Sequence, residues 1–115
     1  MAKDKHRVRH SMSFKCPPYG VIAVIAWGEE GWATYRRQVL AAGFEDPGPD
    51  FEDDRNGECM GSCIWLLEQS PSTLVHETRH LVYNMFEHLR VDDEESAAYL
   101  QAWVFKKVVS AWGGA

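Results

Sequence analysis

The segment from Pro71 to Leu89 constrains the fold more than any other part of the chain, because its apolar residues recur at helical spacing. They lie three or four positions apart: Leu74, Val75, Leu81, Val82, Met85, Phe86 and Leu89. This period is typical of one face of an α-helix. Ser70 before Pro71 is a typical helix start, since serine caps the first amides and proline lacks only an amide hydrogen that the first turn does not use. The sequence therefore predicts a helix that begins at about Pro71.

An H-E-x-x-H pattern lies within this segment, at His76, Glu77 and His80. Residues four apart lie one turn above another on a helix, so both imidazoles can face one tetrahedral Zn²⁺. A carboxylate beside the first histidine can accept a proton from a water molecule that zinc activates, which suits hydrolysis of a peptide or amide. The alternative is a surface helix whose histidines are ordinary polar residues.

Composition limits the class of protein. A chain of 115 residues with 45% hydrophobic content is long enough for one core and too short for two. No apolar run approaches the ~20 residues that cross a bilayer, and the first residues lack the apolar centre of a secretory signal. Three cysteines are an odd number and are too few for a disulfide scaffold. We therefore expect a single cytoplasmic domain without a membrane segment.

Charge is unevenly distributed along the chain. Residues 1–15 contain five basic residues and one acidic residue, a net charge of +4, so the remainder carries −9 of the total of −5. This pattern predicts a basic, flexible arm over residues 1–15 and one folded domain over residues 16–115. The arm could contact nucleic acid, but the acidic body would repel phosphate, which argues against that partner.

Three further segments predict a strand, a helix and a hairpin before the motif. Val21–Trp27 is continuously apolar and β-branched, which favours a central strand covered on both faces. After a short turn over residues 28–31, apolar residues from Trp32 follow one helical face until Gly43. A hairpin over residues 58–67 should turn at Gly61-Ser62, with its more apolar second arm inward.

The end of the chain predicts one more helix, which Asp92 or Asp93 can cap. The expected fold is therefore α+β, with a small sheet of about three strands, one packed helix and a C-terminal helix pair that carries the motif. Cys59 and Cys63 could add metal ligands, but with only Cys16 elsewhere we interpret this pair as buried thiols.

The motif region resembles the gluzincin group of zinc metallopeptidases, in which a glutamate on a later helix, in an E-x-x-A or E-x-x-D pattern, is the third zinc ligand. Glu95-Ser96-Ala97-Ala98 matches that pattern, and an overlapping match begins at Glu94. Residues 74–80 followed by 93–100 also resemble small metallopeptidase-like proteins of tailed bacteriophages. The resemblance covers roughly residues 55–105 and implies zinc held by His76, His80 and Glu95.

Helix geometry limits this ligand set. Leu89 lies about 13 Å beyond His80 along an unbroken helix, so a tight return would place Glu95 beside Glu87 or His88 rather than beside the motif. His88 is itself about 12 Å from His80, too far to share an ion. Glu95 can therefore reach the metal only if the motif helix ends early or if the connection to the last helix folds back.

Tyr99, one turn after Glu95, is a candidate donor to the oxyanion of the transition state, with Tyr83 as a second candidate. An ordinary buried tyrosine is the alternative for both.

Two functions follow from these patterns. The first is a zinc-dependent metallopeptidase acting on a peptide or protein substrate, in which Glu77 is the general base. The second, implied by the phage resemblance, is a non-catalytic structural, assembly or host-takeover protein that keeps a zinc site for folding, or only the motif. The location would then be the cytoplasm of a bacterial host or the virion. The sequence does not determine the substrate or the oligomeric state.

Overall fold

The computed structural model describes residues 9–52 and 54–113. They form four strands and three helices, which confirms the predicted α+β class. The strands are β1 (Ser11–Cys16), β2 (Val21–Trp27), β3 (Gly57–Met60) and β4 (Cys63–Leu66). The helices are α1 (Gly28–Ala41), α2 (Pro71–Leu89) and α3 (Glu94–Trp112).

The strands form one mixed sheet in the order β1-β2-β4-β3. The pairs β1-β2 and β3-β4 are antiparallel, whereas β2 and β4 are parallel. β2 is therefore a central strand, as its apolar sequence predicts, and β3 lies at an edge.

The sheet has one strand more than the three that we expected from the sequence. Ser11–Cys16 pairs along its whole length with β2, so the predicted arm of residues 1–15 ends in folded structure. Its apolar residues Met12, Phe14 and Cys16 alternate with polar ones and pack on the core, the period of a half-buried strand. Residues 1–8 of the predicted arm lie outside the described part of the chain.

The β3-β4 hairpin follows the prediction closely. Gly61 has a φ of +59°, whereas the φ of Ser62 is not positive. This combination is typical of a type II′ turn, which favours glycine at its first central position. All four residues of β4 are buried, whereas those of β3 are half-buried. Cys59 lies opposite Ile64 rather than Cys63, so the two cysteines point to different faces of the sheet.

Helices cover both faces of the sheet. α1 packs on one face around Trp32, Tyr35 and Trp65, and it begins at Gly28, where we expected a turn over residues 28–31. Its end at Gly43, with φ of +89°, matches the predicted glycine stop. The other face, with α2 and α3, holds the larger cluster, which includes Ile25, Ile64, Leu74, Leu81, Met85, Leu100 and Val104.

The motif helix α2 starts as predicted. Ser70 Oγ accepts a hydrogen bond from the Thr73 amide at 3.3 Å, and Pro71 is the first helical residue. Asp93 caps α3 by accepting from the Glu95 amide at 3.2 Å. None of the helices in residues 9–52 and 54–113 is long and apolar enough to cross a membrane.

Strand β3 and helix α3 lie on opposite flanks of α2. On one flank, a Cβ added to Gly57 would lie 2.9 Å from Thr73 Cγ2, so β3 approaches α2 closely there. On the other flank, Gln101 of α3 donates from Nε2 to the Val75 carbonyl at 3.4 Å. Thr73 and Val75 are about 200° apart around α2, so β3 and α3 contact different sides of this helix.

Candidate metal centre

The H-E-x-x-H residues form one compact group on α2. Ligand atoms of His76, Glu77 and His80 all lie within 4.8 Å of one another. The Nε2 atoms of the two histidines are 3.3 Å apart. Two nitrogens bound to one tetrahedral zinc at 2.0–2.1 Å would be about 3.3 to 3.4 Å apart. The pair therefore has the spacing that a shared zinc ion requires, and both side chains are exposed at the surface.

Glu77 differs from the histidines because it faces the sheet edge. Only 7% of the residue is exposed. Burial raises the pKa of its carboxyl above the ordinary value, while His76 and His80 oppose part of that rise. A carboxylate with a raised pKa accepts a proton more readily at neutral pH, which is the property of a general base.

A cavity of about 300 Å³ opens beside Glu77 and His80, between α2 and the edge strand. Its other walls include Arg55, Glu58 and Cys59, and Arg55 Nη1 lies 2.7 Å from Glu58 Oε1. Arg55 and Glu58 are not among the site residues that the sequence predicts. No local pattern marks them, because they reach the motif only through the approach of β3 to α2.

Asn84 joins the motif helix to the hairpin and also lines this cavity. Its Nδ2 donates to the Gly61 carbonyl at 3.1 Å and lies 3.8 Å from Cys59 Sγ. The four-residue steps from His76 through His80 to Asn84 were the one sequence signal of this third residue on the same face.

Cys59 faces the cavity but is not part of the group of His76, Glu77 and His80 that could hold a metal ion, which we call the metal-binding group. Burial raises the pKa of its thiol, and the nearby Glu77 charge raises it further, so the thiol stays protonated. Cys63 is buried, as predicted, and packs against α1 on the opposite face of the sheet, whereas Cys59 is only half-buried. Cys16 is also buried.

Glu95 is exposed in the first turn of α3, and the structure does not bring it to the His76 group. Because Gln101 contacts Val75, helices α2 and α3 overlap over a greater length than a tight return after Leu89 would give. Glu95 lies about 9 Å before Gln101 on α3, near the level of Leu81. It nevertheless belongs to the α3 flank of α2, whereas His80 borders the β3 flank. Its role as a zinc ligand stays a prediction.

The two candidate tyrosines are strongly exposed, so the alternative of a buried tyrosine is wrong for both. Tyr83 is 65% exposed and Tyr99 is 75% exposed. Tyr99 lines a separate cavity of about 480 Å³ with Tyr19 and Trp103, beside the β1-β2 turn. The structure does not bring Tyr99 to the motif, and its catalytic role stays a prediction.

Within the part of the chain that the structure describes, His76, Glu77 and His80 are the group suited to hold a metal ion. Comparisons of the chain with protein-family models, curated proteins and solved structures found no significant match. The gluzincin and phage resemblances therefore stay predictions, while the geometry of His76, Glu77 and His80 would allow them to hold a metal ion.

Proposed function

We propose that this protein is a zinc-dependent hydrolase of peptide or amide bonds, similar to a metallopeptidase, with His76 and His80 as zinc ligands. The observation that carries the proposal is the 3.3 Å separation of the two Nε2 atoms beside a carboxylate. Imidazole nitrogens and a carboxylate are the donor types that zinc binds in proteins, so the residues fit the ion. The resemblance adds Glu95 as the proposed third ligand.

Zinc, when bound, supplies a Lewis acid that lowers the pKa of water and polarises a carbonyl group. His76 and His80 would hold it at the surface, where solvent and a substrate have access. Glu77 lies within 4.8 Å of both ligand atoms and takes the proton that the attacking water loses. Its partial burial supports this role because the raised pKa of its carboxyl favours proton transfer.

An extended peptide is the substrate that the neighbouring strand supports. β3 pairs with β4 on one side. Within the described residues no strand pairs with its other edge, which leaves that edge for a further strand. Peptides often bind by adding a strand to such an edge, with main-chain hydrogen bonds supplying much of the affinity. Cys59 of this strand also lines the cavity beside Glu77 and His80. A bound peptide would therefore pass close to the proposed metal centre.

A non-catalytic protein is the second candidate. A hydrogen bond between two neutral imidazoles would also account for the His76–His80 distance, in which case the motif would need no metal. A phage structural, assembly or host-takeover protein, in the host cytoplasm or the virion, could keep the motif in this way. Accessibility favours the first candidate, because a structural zinc site is closed by four protein ligands and both histidines here are exposed.

Turnover of peptides by zinc-loaded protein tests the proposal. Wild type, Glu77→Gln and the control Glu68→Gln would be incubated with pools of quenched-fluorescent peptides. Glu68 is exposed before α2 and lies outside the metal-binding group. We expect wild type and Glu68→Gln to cleave the same pool, and Glu77→Gln to lose about 100-fold or more of the rate with its zinc retained. Zinc-loaded wild type that cleaves no pool would leave the non-catalytic candidate.

A further inference from the structure

A second, larger cavity adjoins the one beside the motif. It has a volume of about 810 Å³ and shares Cys59 and Asn84 with the cavity that Glu77 and His80 line. It extends around the tip of the β3-β4 hairpin, between the end of α1 and the second half of α2. We name it the apolar groove, after four of its lining residues: Val21, Phe44, Met60 and Met85.

Phe44 forms the accessible wall of the apolar groove. Its side chain covers the hairpin turn, since a Cβ added to Gly61 would lie 2.6 Å from the Phe44 ring. Phe44 is nevertheless 41% exposed. An apolar ligand would remove this exposed ring surface from water, which is favourable in proportion to the area covered.

The spacing along α2 fixes how far the apolar groove lies from the metal centre. Asn84 and Met85 of the groove are four and five residues after His80, a rise of about 6 to 8 Å along the helix. An extended peptide advances about 3.3 Å per residue. A peptide held at the motif would therefore place its second or third residue from the reacting bond at the groove.

We infer that the apolar groove binds a large apolar side chain of the substrate, two or three residues from the bond that is cleaved. The inference rests on the proposed function, because it assumes that the bond to be cleaved lies at the metal centre and counts the substrate residues from there. The occupant is a segment of the substrate itself, since the groove and the motif cavity share Cys59 and Asn84 as lining residues. Specificity for large apolar residues at that distance follows.

Peptide hydroxamates that bind the zinc provide the test. Two series, with the hydroxamate at either end of an alanine and serine peptide, would carry one leucine at the first, second, third or fourth position from it. Isothermal titration calorimetry with zinc-loaded protein would give the affinities. We expect leucine at the second or third position of one series to strengthen binding about tenfold over alanine. Equal affinities for every leucine position would overturn the inference.

Phe44→Asp and Leu40→Asp are matched variants, because Leu40 is 43% exposed and lies outside the apolar groove. The gain from leucine should disappear in Phe44→Asp and persist in Leu40→Asp, with zinc content unchanged in both. A gain that persists in Phe44→Asp would contradict the inference.

Failure of the proposed function has a different signature. If the protein binds no zinc, the metal centre is absent, and the groove is tested by titrating the ¹⁵N-labelled protein with a leucine-containing peptide amide. Chemical-shift changes at Phe44 and Gly61 that require leucine would support an apolar groove, and their absence would overturn it.

Discussion

His76 Nε2 and His80 Nε2 lie 3.3 Å apart on successive turns of α2. Glu77 is rotated about 100° from His76 around the helix, which turns its carboxylate toward β3 while the histidines stay at the surface. The helix thus gives three neighbouring polar side chains two different environments. A solvent-accessible pair of nitrogens can bind a metal, and a buried carboxylate with a raised pKa can accept a proton.

Gly57 should be required for the close approach of β3 to α2. In Gly57→Ala the new Cβ would lie 2.9 Å from Thr73 Cγ2 and 3.2 Å from the Trp65 carbonyl oxygen. We expect a loss of about 1 to 3 kcal/mol in the free energy of unfolding, measured with urea. Adding Thr73→Ser removes Cγ2 and should recover part of this loss, with Thr73→Ser alone as the control. An unchanged stability in Gly57→Ala would show that the two elements can separate freely.

The ion pair between Arg36 and Asp46 should make stability depend on pH in the acid range. Arg36 Nε and Nη2 each donate to the Asp46 carboxylate at 2.8 Å, and the Gly48 amide donates at 2.9 Å. These bonds lower the pKa of Asp46 from 3.8 to about 2. Because the folded-state pKa is depressed, the stabilisation is present above pH 4 and is lost as the pH falls from about 4 to 2.

Asp46→Asn gives the corresponding measurement. The variant lacks the charged acceptor at every pH, so its deficit in unfolding free energy relative to wild type should shrink as the pH approaches 2. A ¹³C NMR titration of the wild-type carboxyl gives the pKa independently. A midpoint near 4 for Asp46, or a deficit that does not change with pH, would contradict the assigned hydrogen bonds.

Much of the fold follows from local sequence patterns. The period of residues 71–89, with Ser70 and Pro71 before it, predicted helix α2 and its start because capping and periodicity act within one element. Gly61-Ser62 likewise predicted the hairpin turn. The proximity of His76 and His80 was predictable for the same reason, since a spacing of four residues on a helix makes two side chains neighbours.

The remaining features depend on contacts between elements. The basic charge of residues 1–15 predicted a flexible arm, although apolar and polar residues alternate in β1. This segment forms a strand because it pairs with β2. Gly31 lies in the first turn of α1, where a Cβ would be 3.0 Å from the His10 carbonyl oxygen, so this glycine serves packing rather than a turn. The side of α2 on which α3 packs is set by the whole core, so no local pattern could show whether Glu95 comes close to His76 and His80.

Glu95 and Glu94 allow the third ligand to be tested with a matched pair. Both are exposed in the first turn of α3, and each begins a match to the gluzincin pattern. If Glu95 completes the site, Glu95→Ala should weaken zinc binding by about tenfold or more, because one of three protein ligands is lost. Glu94→Ala should not weaken it. Equal zinc affinity in the two variants, measured by competition with a chelating dye, would show that Glu95 supplies no ligand.

Zinc binding by purified protein tests the central claim most directly. Wild type, His76→Ala, His80→Ala and His88→Ala would be reconstituted with zinc, dialysed and measured for metal content. His88 is exposed on the same helix and lies outside the metal-binding group, which makes it the matched control. We predict about one zinc per chain in wild type and His88→Ala, and loss of zinc in His76→Ala and His80→Ala. Wild type without zinc after reconstitution, or equal zinc in His80→Ala and His88→Ala, would contradict a metal centre at this motif.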